Sequence, residues 1–315
     1  MDAIQVQNVN KIYKNGVKAL DDLNLTIKKG EIFSLLGQNG AGKSTLIHIL
    51  TTLLKADSGI INVLGKDIFK YSAFVRSTIA CVSQRISLDT NLSLEENMLF
   101  QSELYRVPKK DAKKRITRLI GVFELEPYLK YPVSSYSGGI KRRLDIAMNM
   151  MSNPQILFLD EPTVGMDIQS RKAMWKIVEK IRDDFGTTIF LTTHYLEEAD
   201  KLSDTICIVR DGHEVIQGTP LELKQYLHQN ILKITLSTEA QAKVVKEQLV
   251  NEFRDYKIKL NKITIFIEIQ DSSKDLQLFT SFLINNKIQF SGIEISQPSL
   301  EDIFLKLTQE EEVNS

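Results

Sequence analysis

No run of apolar residues in this chain approaches the length of about 18 that a membrane span requires. The 315 residues include only two cysteines, Cys81 and Cys207, each inside an apolar strand-like run, Ile79 to Val82 and Ile206 to Val209. A small buried thiol accounts for both, so neither a disulfide framework nor a cysteine metal site is expected. Charge of one sign is also missing, since 40 Lys and Arg balance 40 Asp and Glu. Without a basic surplus, nucleic acid is not expected as a partner. Internal repeats and low-complexity tracts are absent. Met1-Asp2-Ala3-Ile4 carries no basic segment leading into an apolar one, which makes a soluble, unexported chain the expectation. With 43% apolar residues the chain can bury a large core. Single cores stop growing near about 250–300 residues, so two domains are expected.

What is present is concentrated in a few segments. Gly37-Gln38-Asn39-Gly40-Ala41-Gly42-Lys43-Ser44-Thr45 lies between an apolar strand, Ile32 to Leu36, and a helical pattern carried by Leu46, Ile47, Leu50, Leu53 and Leu54. Strand, glycine-rich loop and helix in that order make a phosphate-binding loop. The glycines let the backbone curl so that successive N–H groups point at phosphate oxygens, and the helix adds its positive end. Lys43 then pairs with the β- and γ-phosphates, and the Ser44 hydroxyl is placed for Mg²⁺. A loop that merely caps a helix is disfavoured by the residue pattern and by both flanking elements.

A second constellation, Ile156-Leu157-Phe158-Leu159-Asp160-Glu161, is an apolar strand ending in two carboxylates. Neighbouring strand residues point to opposite sides, which suits the pair to two tasks. Asp160 can hold Mg²⁺ on the β- and γ-phosphates, directly or through water, while Glu161 polarises the water that attacks the γ-phosphorus. His194 follows Thr188 to Thr193 at the end of another strand, where parallel sheets bind ligands. Its imidazole can donate to the γ-phosphate, and Gln84, at the end of strand Thr78 to Ser83, can touch Mg²⁺ or the water. Tyr136-Ser137-Gly138-Gly139-Ile140 opens a helix bearing Lys141, Arg142 and Arg143. A hydroxyl, free N–H groups and a helix dipole converge there, as an anion site requires. Because one phosphate site already exists, a second makes sense if it serves a nucleotide bound to another subunit. Taken alone, Ser137 reads as a helix cap and the basic triplet as a solvated face.

The chain begins with β-structure: Ile4 and Val6, a tight turn at Asn15-Gly16, then Leu23, Leu25 and Ile27. Ile60 to Val63 adds a strand. From Asn91 to Tyr136 the spacing of Leu94, Met98, Leu99, Leu104, Ile116, Leu119, Ile120 and Phe123 is helical, a helical insert whose Leu94 to Phe100 stripe is expected to face the interior. Helix and strand then alternate: helix from Gly139, strand Ile156 to Leu159, helix Ser170 to Arg182 with Trp175 packed inward, strand Thr188 to Thr192, helix from Tyr195, strand Thr205 to Val209. That alternation indicates a parallel sheet covered by helices. Leu221 to Leu227 closes the unit, and His228-Gln229-Asn230 reads as a linker. Beyond it, strand Ile231–Leu236, helix Glu239–Phe253, strands Tyr256–Leu260 and Lys262–Ile269, helix Ser273–Asn285 and strand Ile288–Ser296 give the βαββαβ order of a ferredoxin-like unit. Ser299 with Asp302 forms a capping box for a last helix with an apolar stripe of Leu300, Ile303, Phe304 and Leu307.

The segments together resemble the ATP-binding subunits of ABC transporters over about Asp2 to Leu227, with every expected motif in order. The resemblance identifies Tyr13 with the aromatic that stacks on adenine, Gln84 with the glutamine of the Q-loop, and Ser137-Gly138-Gly139 with the signature. Asp160 and Glu161 match the Walker B pair, Val164-Gly165-Met166-Asp167 the D-loop, and His194 the switch histidine. Left to itself, Tyr13 also reads as a core aromatic and Asp167 as a turn residue. The signature ends in Ile140 where glutamine is usual, and the D-loop departs from Ser-Ala-Leu-Asp. Glu161 to Asp167, Ser137 to Leu144 and Pro298 to Phe304 are instead similar to the daunorubicin-resistance branch of exporters.

The fold so implied is an α/β P-loop NTPase of ABC type: a RecA-like parallel sheet core with an antiparallel β subdomain and a helical subdomain at about 86–136, plus a small C-terminal α+β ferredoxin-like domain. The domains expected are 1–228, 229–309 and a frayed tail at 310–315. The resemblance also implies ATP and Mg²⁺, a homodimer, and a separate transmembrane permease that holds the chain at the cytoplasmic face of the cell membrane. An exporter is favoured over a soluble ATPase switch on ribosomes or DNA, because the chain has one cassette without long coiled coils. An importer motor is the other alternative.

Overall fold

The computed structural model describes residues 1–225, 230–296 and 298–309. Packing separates one compact unit, Met1–Pro220, from a second that begins at Leu221. The division falls ahead of the expected His228-Gln229-Asn230 linker, of which Asn230 instead opens a strand; residues 226–229 and the tail 310–315 lie outside the described residues.

In the first unit the order is β1 (Asp2–Ile12), β2 (Lys18–Lys28), β3 (Ile32–Leu36), α1 (Lys43–Leu50), β4 (Ser58–Val63), β5 (Lys66–Asp67), α2 (Ser72–Thr78), β6 (Ile79–Val82), α3 (Leu94–Leu104), α4 (Lys109–Val122), α5 (Gly138–Asn149), β7 (Ile156–Asp160), α6 (Ile168–Phe185), β8 (Thr188–Thr193), α7 (Leu196–Leu202), β9 (Thr205–Arg210) and β10 (His213–Gly218). The strands form two sheets. An antiparallel sheet runs β2-β1-β4-β5, and the second runs β10-β9-β3-β8-β7-β6. In the latter β9, β3, β8, β7 and β6 are parallel, while β10 closes one edge antiparallel to β9.

Every residue of β3 and β8 is buried, as is all of β7 except Asp160. Their near-continuous apolar sequences follow from cover on both faces of the sheet. Phe190 packs between Phe33 and Phe158, with ring centroids 5.4 and 5.3 Å away. The register sets Leu36 opposite Thr193 and Asp160 opposite Thr192. The carboxyl ends of β3, β7 and β8 therefore lie level, and the phosphate loop, Glu161 and His194 leave the sheet along one edge, where ligands of such sheets bind.

Three elements were not foreseen: the two-residue β5, the short α2, and β10, which has no fully buried residue and so no alternating pattern to read. Helix α1 stops at Leu50, and Thr52 takes a left-handed φ of 64°. Leu53 and Leu54 thus lie beyond the helix, and Leu53 is exposed. In the helical insert, Ser93 and Glu96 form a reciprocal cap on α3, with Glu96 Oε2 accepting from the Ser93 N–H at 2.7 Å. Leu94 and Met98 are buried, but Leu99 and Phe100 are exposed, which corrects the inward stripe expected there. Residues 94, 98 and 102 share one helical face and residues 99 and 100 fall off it.

Helix α8 (Pro220–Gln225) starts at the division, and the second unit continues with β11 (Asn230–Thr235), α9 (Glu239–Glu252), β12 (Ile258–Asn261), β13 (Thr264–Ile269), α10 (Ser272–Asn285), β14 (Gly292–Ser296) and α11 (Leu300–Gln309). Its sheet runs β12-β13-β11-β14 with all neighbours antiparallel, the ferredoxin-like arrangement. Leu232, Ile234, Ile265 and Ile267 alternate inward against Val245, Leu249, Phe279 and Leu283 of the two long helices. Asp302 accepts from the Ser299 N–H at 2.8 Å and Ser299 Oγ accepts from the Asp302 N–H at 3.2 Å, completing the expected cap. Leu300 and Ile303 are buried; the Leu307 side chain lies outside the described residues.

Candidate functional site

Strand β3 delivers the chain into Gly37, and α1 begins six residues on at Lys43. Gly42 turns the loop into the helix with φ 98°, and a Cβ there would stand 2.3 Å from the Ala19 carbonyl oxygen. Only glycine fits both demands. No side chain caps α1, so its first N–H groups remain available to an anion. Lys43 is buried, and its ammonium donates to the carbonyls of Gly37 at 2.7 Å and Gln38 at 3.0 Å. With two of three protons placed by the loop, the third is left for a ligand. Burial pulls the Lys43 pKa below its ordinary value, and the Glu161 and Asp160 carboxylates act in the opposite direction.

Lys43 lines a cleft of about 440 Å³ together with Tyr13, Asn39, Gly40, Gly42, Ser44, Thr45, Gln84, Asp160 and Glu161. Gly37 and Ala41, expected in the cradle, do not line the cleft: the Gly37 carbonyl accepts from Lys43, and the Ala41 N–H donates to the Gln38 carbonyl at 3.2 Å. The Tyr13 ring is 38% exposed, with its hydroxyl 3.2 Å from Thr45 Oγ1. The ring is thus outside the core and at the rim of the cleft.

Asp160 and Glu161 diverge at the end of β7, and Thr192 holds both. The Thr192 hydroxyl donates to Asp160 Oδ1 at 2.6 Å and accepts from the Glu161 N–H at 3.0 Å. Glu161 takes a left-handed φ of 46°, a conformation that costs a non-glycine residue about 1–3 kcal/mol and is kept where the surroundings enforce it. Its side chain lies between two polar groups, with Gln84 Nε2 3.4 Å from Oε2 and His194 Nδ1 3.3 Å from Oε1. Gln84, Glu161 and His194, far apart in sequence, thus converge on one point. Thr192 escaped the sequence reading, because its role needs the pairing of β8 with β7, which no local motif announces.

Ser137, Gly138 and Gly139 line a separate cleft of about 310 Å³ with Gln84, Arg142, Glu161, Asp167 and Ser170. Gln84 and Glu161 therefore border both clefts. Ser137 is the N-cap of α5 and its Oγ accepts from the Ile140 N–H at 3.4 Å. Asp167 caps α6, accepting from the Ser170 N–H at 2.9 Å and from the Ser170 hydroxyl at 2.6 Å, and these hydrogen bonds hold its carboxyl below the ordinary range. Both therefore have a structural task in the single chain. The alternative of a solvated basic triplet fails at Arg142, which is buried beside Asp145 at 3.4 Å; an opposite charge three residues along the helix was the signal for it. Trp175 is buried, with Nε1 donating to Glu198 at 3.0 Å.

Among the described residues no cluster of three or more His, Cys, Asp or Glu could hold a metal by itself. The Ser44 hydroxyl, one Asp160 oxygen and the Gln84 amide oxygen are hard donors that suit a magnesium ion taking the rest of its shell from phosphate and water. Cys81 lies beside this edge, but burial first and the Asp160 charge second push its thiol up to about 11. A thiol so shifted stays protonated at neutral pH, the opposite of an activated nucleophile.

Residues 20–164 match the family model described as ABC transporter. The chain is 36% identical over 308 residues to the daunorubicin/doxorubicin resistance ATP-binding protein DrrA of Streptomyces peucetius, covering 97% of this chain and 92% of that one. Among solved structures it resembles cbiO1 of Clostridium perfringens, part of the ABC transporter complex cbiONQ, with a TM-score of 0.67 and 27% identity over 81% of this chain and 96% of the other. The ATP-binding cassette MJ0796, solved as a dimer in a post-hydrolysis state with ADP and Pi, gives a TM-score of 0.60 and 28% identity over 69% and 98%.

Proposed function

The chain belongs to the ATP-binding subunits of ABC transporters and is an ATPase, and from that premise we propose that two copies clasp each ATP head to tail to drive export through a separate membrane permease. The observation that carries this reading is the pair of clefts bordered by Gln84 and Glu161: one holds Lys43, the other Ser137. ATP is held by the phosphate loop of one copy and by Ser137, Gly138 and Gly139 of the other, with Tyr13 against the adenine face and Asp167 at the shared boundary. Ser44, Asp160 and Gln84 would hold Mg²⁺, which would supply charge neutralisation to the triphosphate.

Glu161 takes the proton of a water positioned by Gln84 as that water bonds to the γ-phosphorus. The bond from the γ-phosphorus to the bridging oxygen breaks, and its electron pair leaves with ADP. His194 holds the γ-phosphate and registers its loss. Nucleotide thus binds the closed pair more tightly as ATP than as ADP, and only that difference can open and close it. Leu99, Phe100 and Leu104, exposed on α3, give an apolar surface for a partner, which supports transmission through the helical insert. No helix among the described residues is long and apolar enough to cross a membrane, so a membrane location comes through the permease, at the cytoplasmic face. DrrA of Streptomyces peucetius is named for drug resistance, which favours export.

The test is to isolate the tagged chain from detergent-solubilised membranes of its own cells. A polytopic membrane protein recovered with it, whose presence raises ATP turnover, is the predicted result; a chain found wholly in the soluble fraction without one contradicts it. Within the site, Thr192→Val keeps the shape of a buried residue while removing the hydroxyl that spans Asp160 and Glu161. Steady-state kinetics should show kcat down by about 10-fold with little change in ATP affinity, since a positioning loss falls on the chemical step.

A further inference from the structure

The segment that carries Gln84 is anchored by the same helix that opens with Ser137. Arg142 and Asp145, 3% and 1% exposed, stand one turn apart on α5. The Arg142 guanidinium donates from Nη1 to the Ser83 carbonyl and from Nη2 to the Asp160 carbonyl at 3.0 Å. Asp145 accepts from the Ser87 hydroxyl at 3.0 Å and lies 3.5 Å from the Ser87 N–H. Ser83 and Ser87 flank Gln84, so α5 grips that segment on both sides and holds the main chain at Asp160 as well. A planar guanidinium carries its donors on separate nitrogens in a rigid fork, so it reaches carbonyls of two different segments that the single nitrogen of an ammonium does not span in the same way. An ion pair this deep gains little net stability over apolar residues of the same size, so its use lies in fixing position.

We propose that Arg142 and Asp145 are positioning residues that hold the Gln84 segment and the end of β7 in place against the first turns of α5, below Ser137. The catalytic edge facing one nucleotide and the anion site offered to the second copy's nucleotide are then set together. This rests on the shared-nucleotide reading above. Arg142 borders the Ser137 cleft, but its hydrogen bonds go to the Ser83 and Asp160 carbonyls, so the pair acts through Gln84 and Ser137.

The experiment uses the full chain with Arg142→Met, Arg142→Lys and the double variant Arg142→Met with Asp145→Leu, comparing melting temperature, ATP affinity and steady-state kinetics. Arg142→Met strands a buried carboxylate and should lower the melting temperature, and the apolar pair should restore it. Turnover should stay down in both by about 100-fold, because the reacting groups remain displaced. Affinity of the separate, undimerised chain for ATP should stay within about three-fold of wild type, since the Lys43 loop is untouched. Arg142→Lys, which keeps the charge without the fork, should fold and still lose about 10-fold in kcat. A double variant or Arg142→Lys with wild-type turnover makes the pair a packing feature and overturns the proposal. If the single Met variant does not fold, the other two decide. Failure of the underlying reading shows separately, as undiminished turnover in a Ser137→Arg chain whose Arg142 is intact.

Discussion

Glu161→Gln lowers ATP turnover by about 10²- to 10⁴-fold while leaving ATP binding intact, the range expected when a positioned general base is removed. The amide preserves the size of the side chain and its place between Gln84 and His194. It cannot accept the proton of the attacking water. The left-handed backbone at Glu161 and its N–H bonds to the carbonyl and hydroxyl of Thr192 are equally available to glutamine, so the geometry persists without the base. Because the γ-phosphate stays in place, the variant should also accumulate as a dimer in ATP. Phosphate release and size-exclusion chromatography in the presence of ATP check both halves of this result. Normal turnover in the variant would remove Glu161 from its assigned role.

Lys43→Ala weakens ATP binding by on the order of 100-fold, the scale seen when one member of a buried charge pair is truncated. The ammonium is the buried cation nearest the cleft, and it also ties the Gly37 and Gln38 carbonyls of its own loop. Its loss leaves Asp160 and Glu161 facing the triphosphate without a compensating charge. The change therefore removes an attraction, exposes a repulsion and loosens the loop at once. Titration with a fluorescent ATP analogue measures the effect, and a melting curve separates it from unfolding. Unchanged affinity would contradict the cradle built from Gly37 to Thr45.

Most of the site was legible because its parts are local in sequence. The phosphate loop, the Asp160-Glu161 strand end, His194 and the Ser137 helix start each lie within a few residues of a strand or helix boundary that periodicity reveals. The parallel sheet was legible for the same reason, since β3, β7, β8 and β9 are short apolar runs between helical patterns. What escaped depends on contacts between segments. Thr192 acquires its role from the register of β8 beside β7, and Arg142 taken alone looked solvated because its partners Ser83 and Asp160 come from two distant segments, just past β6 and at the end of β7. The direction of Leu99 and Phe100 follows from which face of α3 meets α5, a tertiary choice that the spacing of apolar residues alone does not fix.

The shared site is tested most directly by mixing two disabled chains. Lys43→Ala destroys the phosphate cradle of its own copy, whereas Ser137→Arg blocks the site contributed to the partner. A heterodimer of the two places both lesions at one nucleotide and leaves the other nucleotide with an intact cradle and an intact Ser137. ATP turnover in the mixture should rise well above the sum of the separate chains. A mixture that stays at that sum, or a Ser137→Arg chain fully active by itself, would contradict the claim that one nucleotide is completed by two polypeptides.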